Sequence, residues 1–357
     1  MTDRPLRFLA GPSAFRQIRR DGLDPQVITA MVGASGGPKW LGLYHLDRSI
    51  VRCFARWYAD RRRPLHLIGS SIGAWRFANY ARAAPLAAFS DMWDRYSRYE
   101  WQPDHDVARV TADTAALLAA VHGPDGVAEM LAHPYLRLHI AAARGRGLVG
   151  RPETSALAAG LAMGAAANLA HRRLLGAFVE RTLVSDPRDP APGDWRDFPP
   201  QRAALTPANA HDALMATVAI PFLIAGRPVP GAKAGLYRDG GIIDYHFAVP
   251  DLAGPGDLVF YPHFCDHVTP GWFDKMLRHR RAGARILDRT LIVCPSPAFL
   301  ARLPGAKIPD RQDFKHHETA ERQRLWAQSV AETERLAEDF EGVVEAGTLA
   351  DRLEPLA

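Results

Sequence analysis

Cysteine is almost missing from this chain of 357 residues: Cys53, Cys265 and Cys294 stand far apart and are odd in number. No CxxC pair and no Cys/His run at metal-ligand spacing occurs, so neither a disulfide framework nor a metal site is expected, and no cofactor is called for. Sparse thiols suit the reducing cytoplasm. Lysine is scarce as well; only five of the 44 basic residues are Lys, at positions 39, 233, 275, 307 and 315. A large excess of one charge is also lacking, since 44 Lys and Arg face 39 Asp and Glu for a formal net charge of +5. That small surplus, spread along the chain, does not call for nucleic acid as a partner. It is compatible with weak attraction to an anionic surface. Long hydrophobic runs are absent too. The longest uncharged stretch, residues 154–170, is rich in Ala and Gly and falls short of a membrane span. The opening MTDRPLRFLAGPSAFRQIRR lacks the apolar core of a secretory signal. Internal repeats, low-complexity tails and long linkers are missing, and no feature specifies an oligomer.

What is present is globular: 47% of the residues are hydrophobic and 23% charged. A chain of this length buries roughly three quarters of its unfolded surface and needs no covalent staple. Residues 27–32 (VITAMV) form a short β-branched run stopped by Gly33, which reads as a buried strand. Leu43, Leu46, Ile50, Phe54 and Trp57 then recur at helical spacing over 39–58. A second strand over 65–68 follows Pro64, and 70–84 reads as a helix entered through a tight turn. Strand, crossover helix, strand, helix predicts an α/β fold with a mostly parallel sheet. Further strands are expected over 135–142, 177–184, 235–237, 257–261 and 289–294. Helical stretches are expected over 152–175, from the Thr206-Pro207 start to about 217, and over about 310–344. The Pro-rich 186–201 reads as a loop. One domain spanning 1–357 accommodates all of this, with 152–175 as a helical insertion.

Three segments carry chemistry. Gly69-Ser70-Ser71-Ile72-Gly73 is a GxSxG pentapeptide between an apolar strand and a helix. A serine on such a turn is strained, and side chains at Gly69 or Gly73 would collide with it. The helix start behind it also favours developing negative charge. Ser71 is therefore the candidate nucleophile. Ser35-Gly36-Gly37-Pro38-Lys39 follows the first strand. A phosphate loop would need Gly before Lys39 and Ser or Thr after it, where Pro38 and Trp40 stand. Gly36 and Gly37 instead offer unobstructed amides of the kind an oxyanion hole uses. Asp239-Gly240-Gly241 follows a short strand. Asp-Gly-Gly is also a common turn, but a serine nucleophile needs a positioned base. Two bases are open: Asp239 itself, or a late histidine, His263 or His267, in a conventional Ser…Asp…His order.

In this order the three segments resemble the patatin-like phospholipases, whose pattern is a Gly-rich oxyanion motif, a GxSxG serine and a distant DG[GA] aspartate. Ala216-Thr217-Val218-Ala219-Ile220-Pro221 is similar to a fourth segment that the family carries before its aspartate. The resemblance covers about residues 27–250. It departs at Ser35 and Trp40, where the family has Gly, and after Gly241, where Asp244-Tyr245-His246-Phe247 stand. The resemblance implies a three-layer α/β/α sandwich and a Ser71–Asp239 dyad without histidine. It implies Gly36 and Gly37 as the oxyanion hole, supported by Ser35, Lys39, Gly69, Gly73, Gly240 and Gly241. It also implies hydrolysis of lipid esters, phospholipid or neutral, through an acyl-enzyme, with no metal. Two other readings stand beside it: an α/β-hydrolase esterase with a triad, and a non-catalytic lipid-binding relative. For the acyl chain, the aromatic stretch of Met92, Trp93, Tyr96, Tyr99 and Trp101 and the insertion 155–175 are expected to line a tunnel. Segment 272–281, mixing Trp272, Phe273 and Met276 with Lys275, Arg278 and Arg281, reads as an amphipathic helix. It is suited to peripheral contact with an anionic membrane surface.

Overall fold

Strands buried on both faces need apolar residues without alternation, and the runs in this sequence have that character. In the computed structural model, which describes residues 4–102, 104–123 and 125–356, they form one ten-stranded sheet. The outer limits of the expected 1–357 domain, residues 1–3 and 357, lie outside the described residues. In chain order the strands are β1 (Leu6–Ala10), β2 (Ile28–Gly33), β3 (Leu65–Ser70), β4 (Leu136–Gly145) and β5 (Val179–Ser185). They continue with β6 (Gln201–Ala204), β7 (Tyr237–Arg238), β8 (Leu258–Pro262), β9 (Thr290–Pro295) and β10 (Leu353–Pro355). Across the sheet they run β10-β1-β9-β8-β2-β3-β4-β5-β6, with β7 paired to β4. The central block β9-β8-β2-β3-β4 is parallel throughout. Antiparallel pairing enters at β1/β9, β4/β5 and β4/β7. The fold is therefore α/β with a mostly parallel central sheet.

The order has a consequence for function. From β2 the chain crosses to β3 and then β4 on one side, and only later returns to place β8 on the other side. Crevices open outside the carboxyl ends of strands where such an order reverses. The loops leaving β2 and β3 at that edge are the Gly-rich segment and Ser71.

Several expectations shift. The helix anticipated over 39–58 begins as a 3-10 segment, Gly37–Leu43, and becomes α-helical at Tyr44–Trp57. The one expected over 70–84 ends at Tyr80, and Pro85 starts another, Pro85–Ser97, which carries Met92, Trp93 and Tyr96. The Thr206 cap is not used. Thr206 forms a turn with Asn209, and the helix starts at Ala210. Strands β1, β6 and β10 and the helix Val107–His122 were not anticipated. The charged tail is helical as expected, in Thr319–Glu332 and Glu334–Glu345. No helix among the described residues is long and apolar enough to cross a membrane.

Candidate active site

Ser71 sits between the end of β3 and the helix Ile72–Tyr80, with φ 52° and ψ −131°. A positive φ at a residue with a Cβ costs about 1–3 kcal/mol and persists only when the surroundings enforce it. Here they do. The Ser71 amide donates to Thr217 Oγ1 at 2.7 Å, and Thr217 Oγ1 in turn donates to the Ala141 carbonyl at 2.5 Å. The pentapeptide's glycines answer to crowding. A Cβ on Gly73 would lie 2.1 Å from the Gly33 carbonyl oxygen, and one on Gly69 would lie 2.6 Å from the Ala74 amide nitrogen.

Asp239 arrives from β7, which pairs with β4 through Arg238 and Ala143. Its amide donates to the Ala219 carbonyl at 3.0 Å, inside the fourth similar segment. Ser71 Oγ donates to Asp239 Oδ2 at 2.7 Å, and the Gly241 amide donates to Oδ1 at 2.7 Å. Burial raises the Asp239 pKa above the ordinary carboxylate value, while the bonds from Ser71 and Gly241 oppose that rise. A carboxylate pushed upward is a better proton acceptor. Gly240 passes so close to β4 that its Cβ would fall 2.1 Å from the Ala141 oxygen.

The late histidines do not join this pair. His263 is fully buried, its Nδ1 accepts from the Cys265 amide at 2.9 Å, and burial holds its pKa well below the usual value. His267 Nδ1 lies 3.0 Å from Asp266 Oδ1. Among the described residues no histidine lines either cavity at Ser71. The triad expectation therefore lacks its base.

The Gly-rich loop is anchored from behind. The Ser35 amide donates to the Tyr245 carbonyl at 2.8 Å, Ser35 Oγ lies 2.7 Å from Ser70 Oγ, and Ser70 Oγ donates to the Asp244 carbonyl at 2.5 Å. Ser35 thus ties the Gly-rich loop to the serine turn through its hydroxyl. Gly37 has φ 56°, and neither the Gly36 nor the Gly37 amide donates to a protein acceptor among the described residues. Trp40 is buried and packs edge-on against Tyr44 and Tyr96. Lys39 places its Nζ 4.8 Å from the centre of the Phe264 ring. Asp244, which follows the aspartate loop, forms a buried two-pronged ion pair with Arg181.

Two cavities open from Ser71. One, of about 220 Å³, is lined by Ser71, Asp239, Gly36, Gly37, Lys39, Lys275 and Arg311, among others. The other, of about 530 Å³, is walled mainly by apolar and aromatic side chains, including Trp75, Tyr96, Tyr99, Trp101, Leu117 and Ile224. Of the expected tunnel residues, Tyr96, Tyr99 and Trp101 face this space, whereas Met92 and Trp93 do not. The insertion does not line it either. Its helix, Thr154–Ala170, packs elsewhere, and Asn168 beyond its middle donates to Asp274 Oδ1 at 2.9 Å.

That bond explains a second correction. Segment 272–281 is no amphipathic helix but two 3-10 turns, Trp272–Asp274 and Arg278–Arg280. Asp274 is buried and accepts from Asn168, Arg172, Arg280 and the Gly271 amide, which pins the segment as a loop. Lys275 is thereby held against the polar cavity.

Sequence reasoning missed Thr217 as a brace, and it missed Lys275 and Arg311 as cavity residues. It also missed a cluster of His246, His263 and Cys265, whose ligand atoms lie within 4.8 Å of one another. The Nδ1 atoms of His246 and His263 accept from backbone amides. In the neutral rings the protons then sit on Nε2, so these nitrogens are donors and offer no lone pair to a cation. The chain matches no family model, and no curated protein or solved structure matches it significantly.

Proposed function

We propose that this chain is a serine acyl hydrolase that cleaves carboxylic esters of lipids through a Ser71–Asp239 dyad, in the manner of the patatin-like enzymes its motifs resemble. The carrying observation is the 2.7 Å hydrogen bond from Ser71 Oγ to a buried carboxylate, at a point that opens onto an apolar cavity. Asp239 takes the Ser71 proton as Oγ bonds to the ester carbonyl carbon. The Gly36 and Gly37 amides receive the oxyanion, each worth roughly 3 kcal/mol in comparable sites. The C–O bond to the alcohol then breaks, and the proton on Asp239 leaves with the alcohol. Water attacks the acyl-enzyme, giving its proton to Asp239. The C–Oγ bond breaks, Ser71 recovers the proton, and the fatty acid departs. No step requires a cofactor.

The aromatic cavity takes the acyl chain. Phe222 lines it and is 49% exposed, while Met276 beside Lys275 is 89% exposed. Both suit an enzyme that works from the cytoplasm at a membrane surface. The mostly parallel sheet is compatible with the three-layer sandwich of the patatin-like fold.

The test pairs labelling with turnover. A fluorophosphonate probe should attach to Ser71, and medium-chain and long-chain esters should be hydrolysed by wild type but not by Ser71→Ala or Asp239→Asn. An unlabelled Ser71 in folded protein would leave a non-catalytic lipid-binding protein. Full activity in Asp239→Asn, lost in His263→Ala or His267→Ala, would restore the triad.

A further inference from the structure

Building on the serine-hydrolase reading, we propose that the smaller cavity at Ser71 binds a negatively charged group, phosphate or carboxylate, on the alcohol side of the ester, with Lys39, Lys275 and Arg311 as its ligands. The three cations reach the cavity from three separate segments: the Gly-rich loop, the loop pinned by Asp274, and the stretch after β9. Among the described residues none of them has a carboxylate within 4.0 Å. Buried and half-buried cations elsewhere in the chain have hydrogen-bond partners: Arg76, Arg181, Arg172 and Arg280 are matched to buried aspartates, and Arg61, Arg238 and Arg322 donate to backbone carbonyls. The cavity's two acids are already engaged. Asp239 holds Ser71 and Gly241, and Asp310 lies 3.2 Å from Lys307 Nζ.

The cations are positioned without being neutralised. Lys275 Nζ sits 4.0 Å from the centre of the Tyr245 ring and 5.7 Å from that of Trp272, and Lys39 rests over Phe264. Aromatic faces hold an ammonium but leave its charge available. The Arg311 stem lies against the loop that offers the oxyanion amides, where a Gly37 Cβ would come within 3.3 Å of its Cγ. Lys39 and Arg311 are half-buried and Lys275 is exposed at the cavity rim; gathering three like charges with no counterion is unfavourable, and an anion relieves it. The groups facing Lys275 are Arg311, Lys39, Asp239 and Asp310; burial and the two cations bring its pKa down to about 7. An arriving anion therefore restores its proton.

The side of the ester follows from the geometry. The apolar cavity claims the acyl chain, and the smaller one, which shares Ser71, Gly37 and Arg311 with it and alone holds Lys39 and Lys275, receives what departs in the first step. Neutral glycerides and simple alkyl esters lack the group that this half of the site is built to meet.

The test has two arms. Wild-type protein is offered esters of one acyl chain whose alcohol carries a phosphate, a carboxylate or no charge. The anionic esters should lead in kcat/KM, and the ratio of anionic to neutral should fall about tenfold or more in Lys275→Met and in Arg311→Met, with Arg311→Lys restoring part of it. A wild-type ratio near unity, with Ser71-dependent hydrolysis of all three, overturns the anion site and leaves the hydrolase. The second arm needs no turnover. Ser71→Ala is titrated calorimetrically with glycerol 3-phosphate and with glycerate, which separates phosphate from carboxylate. At about pH 8, above the lowered Lys275 pKa, binding should take up a proton that Lys275→Met does not take up; at about pH 6 uptake should vanish. Absence of binding by either anion to the folded variant overturns the proposal, whatever the enzyme proves to hydrolyse.

Discussion

The two cavities that meet at Ser71 differ in the charge of their walls. One is walled largely by Trp75, Tyr96, Trp101, Leu117 and Ile224, the other gathers Lys39, Lys275 and the two acids, and Arg311 lines both. The apolar wall comes from packed helices and the Ile220–Ile224 turn. The polar wall comes from loops held by hydrogen bonds and ion pairs. Aromatic packing makes room for a shape, whereas the unpaired cations make room for a charge. On the proposed reading, Ser71 at the boundary would meet an amphiphilic ester in a single orientation.

The largest break in this comparison is removal of the boundary itself. Ser71→Ala and Asp239→Asn should each lower ester turnover by about three orders of magnitude or more, whichever cavity a substrate favours. Because burial raises the Asp239 pKa, the folded state prefers that carboxyl protonated. Its stability contribution is therefore unfavourable once pH exceeds the ordinary carboxylate value, and Asp239→Asn should leave Tm unchanged or higher at neutral pH. For the same reason kcat should fall on the acid side with an apparent pKa above that of a free aspartate, read from a pH profile.

Next in size is a buried pair outside both cavities. Arg76 donates twice to Asp47, which also accepts from Tyr80. Arg76→Met would strand a buried carboxylate and should cost about 3–5 kcal/mol in urea unfolding. Filling the apolar side has a smaller effect. Ile224→Trp should shorten the preferred acyl chain and cost long-chain esters about 10- to 100-fold in kcat/KM, with short chains less affected. The smallest effect belongs to the polar side. Lys275 holds a lowered pKa, which opposes the fold at pH values below its ordinary pKa, but the residue is exposed and water screens most of that cost. Lys275→Met should therefore leave Tm within about 2 degrees of wild type in the absence of ligand, in contrast to Arg76→Met.

Much of the frame was legible because its constraints are local. The runs behind β2, β3, β8 and β9 are apolar without alternation, and Gly69 and Gly73 mark a turn that little else could occupy. The 2.7 Å approach of Ser71 to Asp239 was reachable only as an expectation from motif resemblance, since 168 positions separate the two. The polar cavity was not legible. Lys39, Lys275 and Arg311 carry no shared spacing, and their meeting depends on the burial of Asp274 by Asn168, Arg172 and Arg280. Segment 272–281 has the composition of an amphipathic helix, but a buried aspartate with four donors outweighs helical periodicity. The short strands β1 and β10 escaped notice because few residues carry too little pattern.

The carbonyl of Ala141 has a further meaning. It is the register partner position of Ser70 across β3 and β4, it takes the Thr217 hydroxyl that holds the Ser71 amide, and Gly240 rests against it beside Asp239. Ser71 and Asp239, although distant in the chain, are thus both gauged from one reference point on one strand. A shift of that strand would therefore carry both side chains with it, and their 2.7 Å contact would change less than the sheet around it.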